Sequence, residues 1–239
     1  MISLTSIKYL LKSHSALKNL IFFSLITFLF VAIYLTSSWG ITAVSVIQPN
    51  KLMTKWAANK EPFSEKKWQA AVTRLQSAIE NNSNNAEHYF YLAALYDFKA
   101  YQKPIWNKSA LKNRAKAISL YKKALQLRPT WSDAWANLAM TKTLKIEFGD
   151  EVKVALSNAL SYGPWEKNVF HKVLWVSMAN WKGLPVTLQQ QVIRRIKETV
   201  ESNGRVPGYI QQTANHFKWH EELKNIIEDV VRSKEKKQI

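Results

Sequence analysis

Residues 19–50 carry no charge, and within them 20–47 are almost wholly apolar or small hydroxyl. Beyond that run the pattern changes. Apolar positions recur three and four apart, and proline or glycine falls between the periodic stretches, the signature of amphipathic helices separated by turns. There is no sustained alternation and no Asn-Gly or Asp-Gly hairpin. The spacing predicts helices over 66–80, 86–101, 109–127, 132–146, 150–162, 166–181, 186–201, 208–219 and 221–235. Leu188, Val192, Ile196 and Val200 stand four apart, an apolar stripe that must face a neighbouring helix. The last helix offers Leu223, Ile226, Ile227, Val230 and Val231 before a charged end.

The apolar run reads as a membrane segment. Twenty-eight helical residues would span roughly 42 Å, more than the ~30 Å hydrocarbon core. A transmembrane helix is therefore placed at 20–40, with Tyr34 and Trp39 at its far interface. Lys8, Lys12 and Lys18 precede it, and the first sixty residues hold no acid. The positive-inside rule then leaves a short basic tail, 1–19, in the cytoplasm and the rest outside. Residues 41–65 read as a stem and 66–239 as the folded domain. An uncleaved anchor is expected over a cleaved signal peptide, for which Ala43-Val44-Ser45 supplies a small-x-small pattern.

Self-comparison carries the sharpest signal in the remainder. Ala71, Leu75 and Ala78 recur 46 residues later as Ala117, Tyr121 and Ala124. Tyr89, Leu92 and Ala93 recur at the same offset as Trp135, Leu138 and Ala139. Val152, Leu156, Ala159 and Pro164 follow Ala117, Tyr121, Ala124 and Pro129 by 35. These residues resemble the tetratricopeptide repeat, a helix pair of about 34 residues that stacks into a solenoid. Small residues let facing backbones approach, and a bulky residue one turn away fills the gap. The 46-residue offset exceeds the family's length by about twelve, placed as an elaborated turn between Asp97 and Arg114. Lys142 stands where the family often has Tyr. The expected fold is all-α, a TPR-like solenoid with one amino-terminal transmembrane helix.

The resemblance implies a groove lined by each pair's first helix. Carried over by position, it takes in Glu87, Phe90, Ala94, Asp97 and Phe98, then Asp133, Ala136, Met140, Thr143 and Leu144, then His171, Trp175 and Met178. Phe90, Ala94, Ala136 and Met140 occupy places where some members clamp a terminal carboxylate with Lys and Asn, so that docking is not expected here. Phe, Met and Trp would favour an apolar peptide or helix.

Composition narrows the chemistry. With no cysteine, the chain has no disulfide, thiolate metal site or cysteine nucleophile. Gly-x-Ser-x-Gly, Walker and Rossmann motifs are missing. His216 and His220 are four apart but lack a third ligand and the usual catalytic glutamate, and neither metal nor cofactor is expected. His88 and His171 read as packing or groove lining. Glu221-Glu222 and Asp150-Glu151 sit at helix starts, where they complement the macrodipole. Catalytic residues are not identified, and an enzyme is not expected.

Lys and Arg number 34 against 17 acids, a formal +17, of which +14 lies beyond the three amino-terminal lysines. Such a balance invites an acidic polysaccharide or anionic lipid, the latter near Lys51, Lys55, Lys60, Lys66 and Lys67. Lys103, Trp106, Lys108, Lys112 and Arg114 interleave bases with an aromatic ring, but the topology argues against nucleic acid. The layout of basic tail, single span and short repeat array is similar to that of bacterial inner-membrane assembly factors, among them the small VpsP-type proteins of exopolysaccharide biosynthesis. That resemblance implies a non-enzymatic scaffold for protein partners in a membrane complex, anchored in the inner membrane with a periplasmic domain. Alternatives are an assembly factor for secretion, pilus or division complexes, and a direct binder of acidic polysaccharide or anionic lipid.

Overall fold

The computed structural model describes residues 19–33 and 46–237, and every regular element among them is helical. The first is α1 (19–33). There follow α2 (Ile47–Ala57), α3 (Glu65–Asn81), α4 (Ala86–Tyr101), α5 (Lys108–Leu127) and α6 (Ser132–Leu144). The chain continues through α7 (Asp150–Tyr162), α8 (Lys167–Ala179), α9 (Val186–Asn203), α10 (Gly208–His216) and α11 (His220–Lys237). The nine helices expected from periodicity are present, their ends displaced by at most three residues.

Local chemistry explains several starts. Asn85 and Asn107 sit extended before α4 and α5, and their side-chain oxygens accept from Glu87 N and from Ser109 and Ala110 N. Ser64 does the same for Lys67 N ahead of α3. Helices α4 and α5, and α6 and α7, pack as pairs, joined through α5–α6 and α7–α8 contacts. Even-numbered helices touch one another along one side (α6–α8, α8–α10) and odd-numbered ones along the other (α7–α9, α9–α11). This is the stacked-pair architecture of a helical-repeat solenoid, in which one continuous core runs between the two layers.

The seams of that core are lined with small residues. Ala93, Ala117, Ala124 and Ala139 are fully buried, and Tyr121 fills the space beside them. Ala71, Ala78, Tyr89, Leu92 and Leu138 are buried too; Trp135 is half-buried, donating from its indole to the carbonyl of the exposed Pro129 at 2.7 Å.

Two expectations change. The twelve-residue excess is not mainly a turn. Relative to the α6–α7 pair, α4 is three residues longer, α5 seven longer and the joining loop only one longer. The segment Leu111-Lys112-Asn113-Arg114-Ala115-Lys116 consists largely of good helix formers, so it extends α5. Buried Arg114 then ties the remaining loop down by donating to the Ile105 carbonyl at 3.2 Å. Part of the expected stem is likewise helical. In α2, Trp56 is buried against Phe63 and Phe98, and the helix packs on α4.

The membrane placement is corrected as well. No helix among the described residues is long and apolar enough to cross a membrane. At the expected span the described residues, 19–33, are helical. A single-pass inner-membrane protein with a periplasmic domain is therefore not what these helices form. The basic tail with Lys8, Lys12 and Lys18, residues 34–40 of the span, and Ala43-Val44-Ser45 lie outside the described residues.

One glycine is required by close approach. A Cβ on Gly163, in the α7–α8 turn, would lie 2.5 Å from Ser132 Cβ at the start of α6. The same turn is held by Ser132 Oγ donating to Glu166 at 2.9 Å.

Overpacking should expose these constraints. Ala124→Leu and Gly163→Ala are each expected to cost about 1–3 kcal/mol, lowering the thermal midpoint by roughly 2–12 °C. Ala94→Leu, at a half-exposed position, should stay within about 0.5 kcal/mol of the parent. Equal melting of all three by calorimetry would refute the seam argument.

Candidate functional site

The expected groove residues divide into two sets. Phe90 is 7% exposed and stacks on Trp131 with centroids 4.3 Å apart, its edge toward Tyr121. Ala136, Leu144 and Met178 are buried, as is Asp97. These positions are packed inside the stack and line no open groove. Phe98 is half-buried, its ring stacked on Trp56 at 5.5 Å and tilted against Phe63 at 6.2 Å. On α8, Trp175 meets His216 and Phe217 of the α10 end, and exposed His171 meets Tyr209.

What stays accessible is a row. Ala94 on α4, Met140 on α6 and Trp175 on α8 occupy equivalent places in successive repeats, and each is half-exposed. The row runs over adjacent helices stitched together by polar contacts. Thr141 Oγ1 donates to Asp97 Oδ2 at 2.7 Å, linking α6 to α4. Lys172 Nζ donates to Asp133 at 2.5 Å, linking α8 to α6. Lys142, whose side chain is 12% exposed, bonds Glu147 and Glu151, so α6 is also fastened to the following loop and α7. Burial acts to lower the Lys142 pKa, but those two carboxylates outweigh it and hold the ammonium above its usual value.

The titrating groups on this face are tuned by the same surroundings. Burial, then Lys172 and Lys167, push the His171 imidazole below its ordinary value. Burial, with Glu87 and Asp133 nearby, pushes the Tyr91 phenol up. Asp97 is pushed up to about 6 by burial, against the Thr141 hydrogen bond and the charges of Arg114 and Lys172.

The histidine pair is separated by the fold. His216 closes α10 and His220 opens α11, with Lys218 in left-handed conformation (φ 59°) between them, so the imidazoles do not share a helical face. Among the described residues no group of three or more His, Asp or Glu is placed to hold a metal. His88 is fully buried near the start of α4, with Asn85 Nδ2 at 3.3 Å from its Nε2.

Sequence reasoning missed Trp56 and Phe63, which cover Phe98. The signal was present, since Pro49 at a helix start and Leu52, Met53 and Trp56 at three- and four-residue spacing form a short amphipathic pattern.

No family model matches the chain, and no curated protein matches it. Among solved structures it is similar to the human IFIT1 dimer with PPP-AAAA, at 14% identity and a TM-score of 0.49. The match covers 70% of this chain and 36% of that one.

Asp97 makes stability depend on pH. Its folded value lies above the unfolded one, so the folded state binds the proton more tightly. The Asp97 contribution to stability is greatest below about pH 4, falls as pH rises to about 6, and then levels, opposite in sign to that of Glu147 and Glu151, whose lysine partners hold them below the usual carboxylate range. Asp97→Asn keeps an acceptor for Thr141 and removes the ionisation. It should stabilise the fold at pH 8 by up to about 3 kcal/mol and flatten the pH 4–6 slope. A parent and variant with parallel denaturation profiles across that range would overturn this.

Proposed function

We propose that this chain is a non-enzymatic scaffold that holds a segment of a partner protein across the even-numbered helices α4, α6 and α8. The observation that carries the reading is the row of Ala94, Met140 and Trp175, partly open at one register on three stacked helices. Helical-repeat stacks bind extended or helical peptides along such a face. A narrow apolar row flanked by the Asp133–Lys172 pair suits one side of an amphipathic segment. The hydrogen bond and ion pair between successive helices keep the three positions in fixed spacing, so little ordering cost falls on the scaffold when it binds. The non-enzymatic part rests on the sequence, which holds no cysteine, nucleophile elbow or phosphate-binding loop. Roles specific to an envelope, including exopolysaccharide biosynthesis, depended on the anchor and form no part of this reading.

Photo-crosslinking tests it. A photoreactive residue at position 94 or 140 should capture the same partner, and one at exposed position 106 should not. In the captured pair, Met140→Glu should weaken binding at least about tenfold by burying a charge against apolar surface. Equal capture from all three positions, or unchanged affinity, would rule out this face.

A further inference from the structure

On the opposite side, where odd-numbered helices meet, lies a cleft of about 290 Å³ between the end of α7, the α7–α8 turn and α9. Its apolar wall is Leu160, Pro164 and Trp165, and its polar edge is Gln191, Arg194, Arg195 and Glu198. Trp165 is 71% exposed, so most of its ring is open to a ligand beside the cleft. It is also firmly placed, because the turn carrying it is pinned by the Gly163–Ser132 approach and the Ser132–Glu166 bond.

The arginine beside it is built in. The Arg195 guanidinium lies 4.0 Å from the Trp165 ring and 5.6 Å from that of Phe170, and its side chain is only 11% exposed. Stacking covers its faces, so a carboxylate can reach it only at the guanidinium N–H groups not taken by Glu198. Glu198 takes one N–H at 3.3 Å, and Nε is buried with no hydrogen-bond partner among the described residues. Arg194, exposed alongside, makes no ion pair among the described residues, so the cleft keeps a net positive charge.

The geometry points to a second docking site here, for an acidic linear peptide in which a glutamate or aspartate side chain sits beside a bulky apolar residue. The apolar residue lies against Trp165, Leu160 and Pro164, and the carboxylate meets Arg194 and the Arg195 edge. Charge complementarity selects the acid, and the volume admits one large side chain together with a carboxylate. Tryptophan and arginine are also among the residue types enriched where interfaces concentrate their binding energy.

The probe is acetyl-Ala-Glu-Phe-Ala-amide, titrated into the full-length chain while indole N–H signals are followed by NMR. Trp165→Phe assigns the reporting signal among the ten tryptophans. The Trp165 signal is expected to move to saturation. The peptide with glutamine for glutamate should bind about tenfold more weakly, as should the one with alanine for phenylalanine. Arg194→Ala, at an exposed position, should weaken the parent peptide about fivefold with an unchanged thermal midpoint. The site is refuted if Trp165 does not respond, if the glutamine peptide binds equally well, or if adenosine 5′-monophosphate binds more tightly than the peptide. Met140→Glu should leave this titration unaltered, so failure of this site and failure of the even-helix face are separable.

Discussion

Across α4–α7 the helices of this chain pack closely because their facing surfaces are cut back to alanine. Ala93, Ala117, Ala124 and Ala139 have no solvent exposure, and each lies where a longer side chain would push two backbones apart. Close approach also brings dispersion contacts to every neighbouring side chain, which is how Tyr121 and Phe170 become almost fully enclosed. The register of the stack follows from this. With the seams set, the even-numbered helices are held side by side, and residues at equivalent repeat positions fall into rows.

Polar groups were placed where the seams leave room. Asp97 and Thr141 form a buried bond between α4 and α6, and Asp133 with Lys172 forms a half-exposed one between α6 and α8. The first comes with a penalty, since a carboxylate so deeply enclosed resists ionisation. Such a bond specifies which helices neighbour one another more than it adds to stability. The half-exposed pair adds little energy but sets the edge of the accessible row.

The two candidate surfaces differ in how they are made. The even-helix row is apolar and shallow, a by-product of repetition along the stack. The odd-helix cleft breaks the repeat, because it depends on Trp165 in a single turn and on the two arginines of α9. A partner spanning both would have to wrap the edge of the solenoid.

Helix positions were legible in the primary structure because a three-to-four-residue apolar period, with proline and capping residues between, is a local property of the chain. The repeat was legible for a related reason, as alanines recurring at 46 and 35 residues encode where backbones must meet. Compact packing then decided what local pattern could not. It turned Phe90 and Ala136 from groove lining into core, laid Trp56 over Phe98, converted an expected turn into longer helices, and split His216 from His220. Periodicity says which side of a helix is buried, but the identity of the neighbour that buries it depends on residues distant in sequence. The cleft at Trp165 and Arg195 is of that second kind: its parts lie thirty residues apart, and only the folded stack brings a guanidinium to within 4.0 Å of the indole ring.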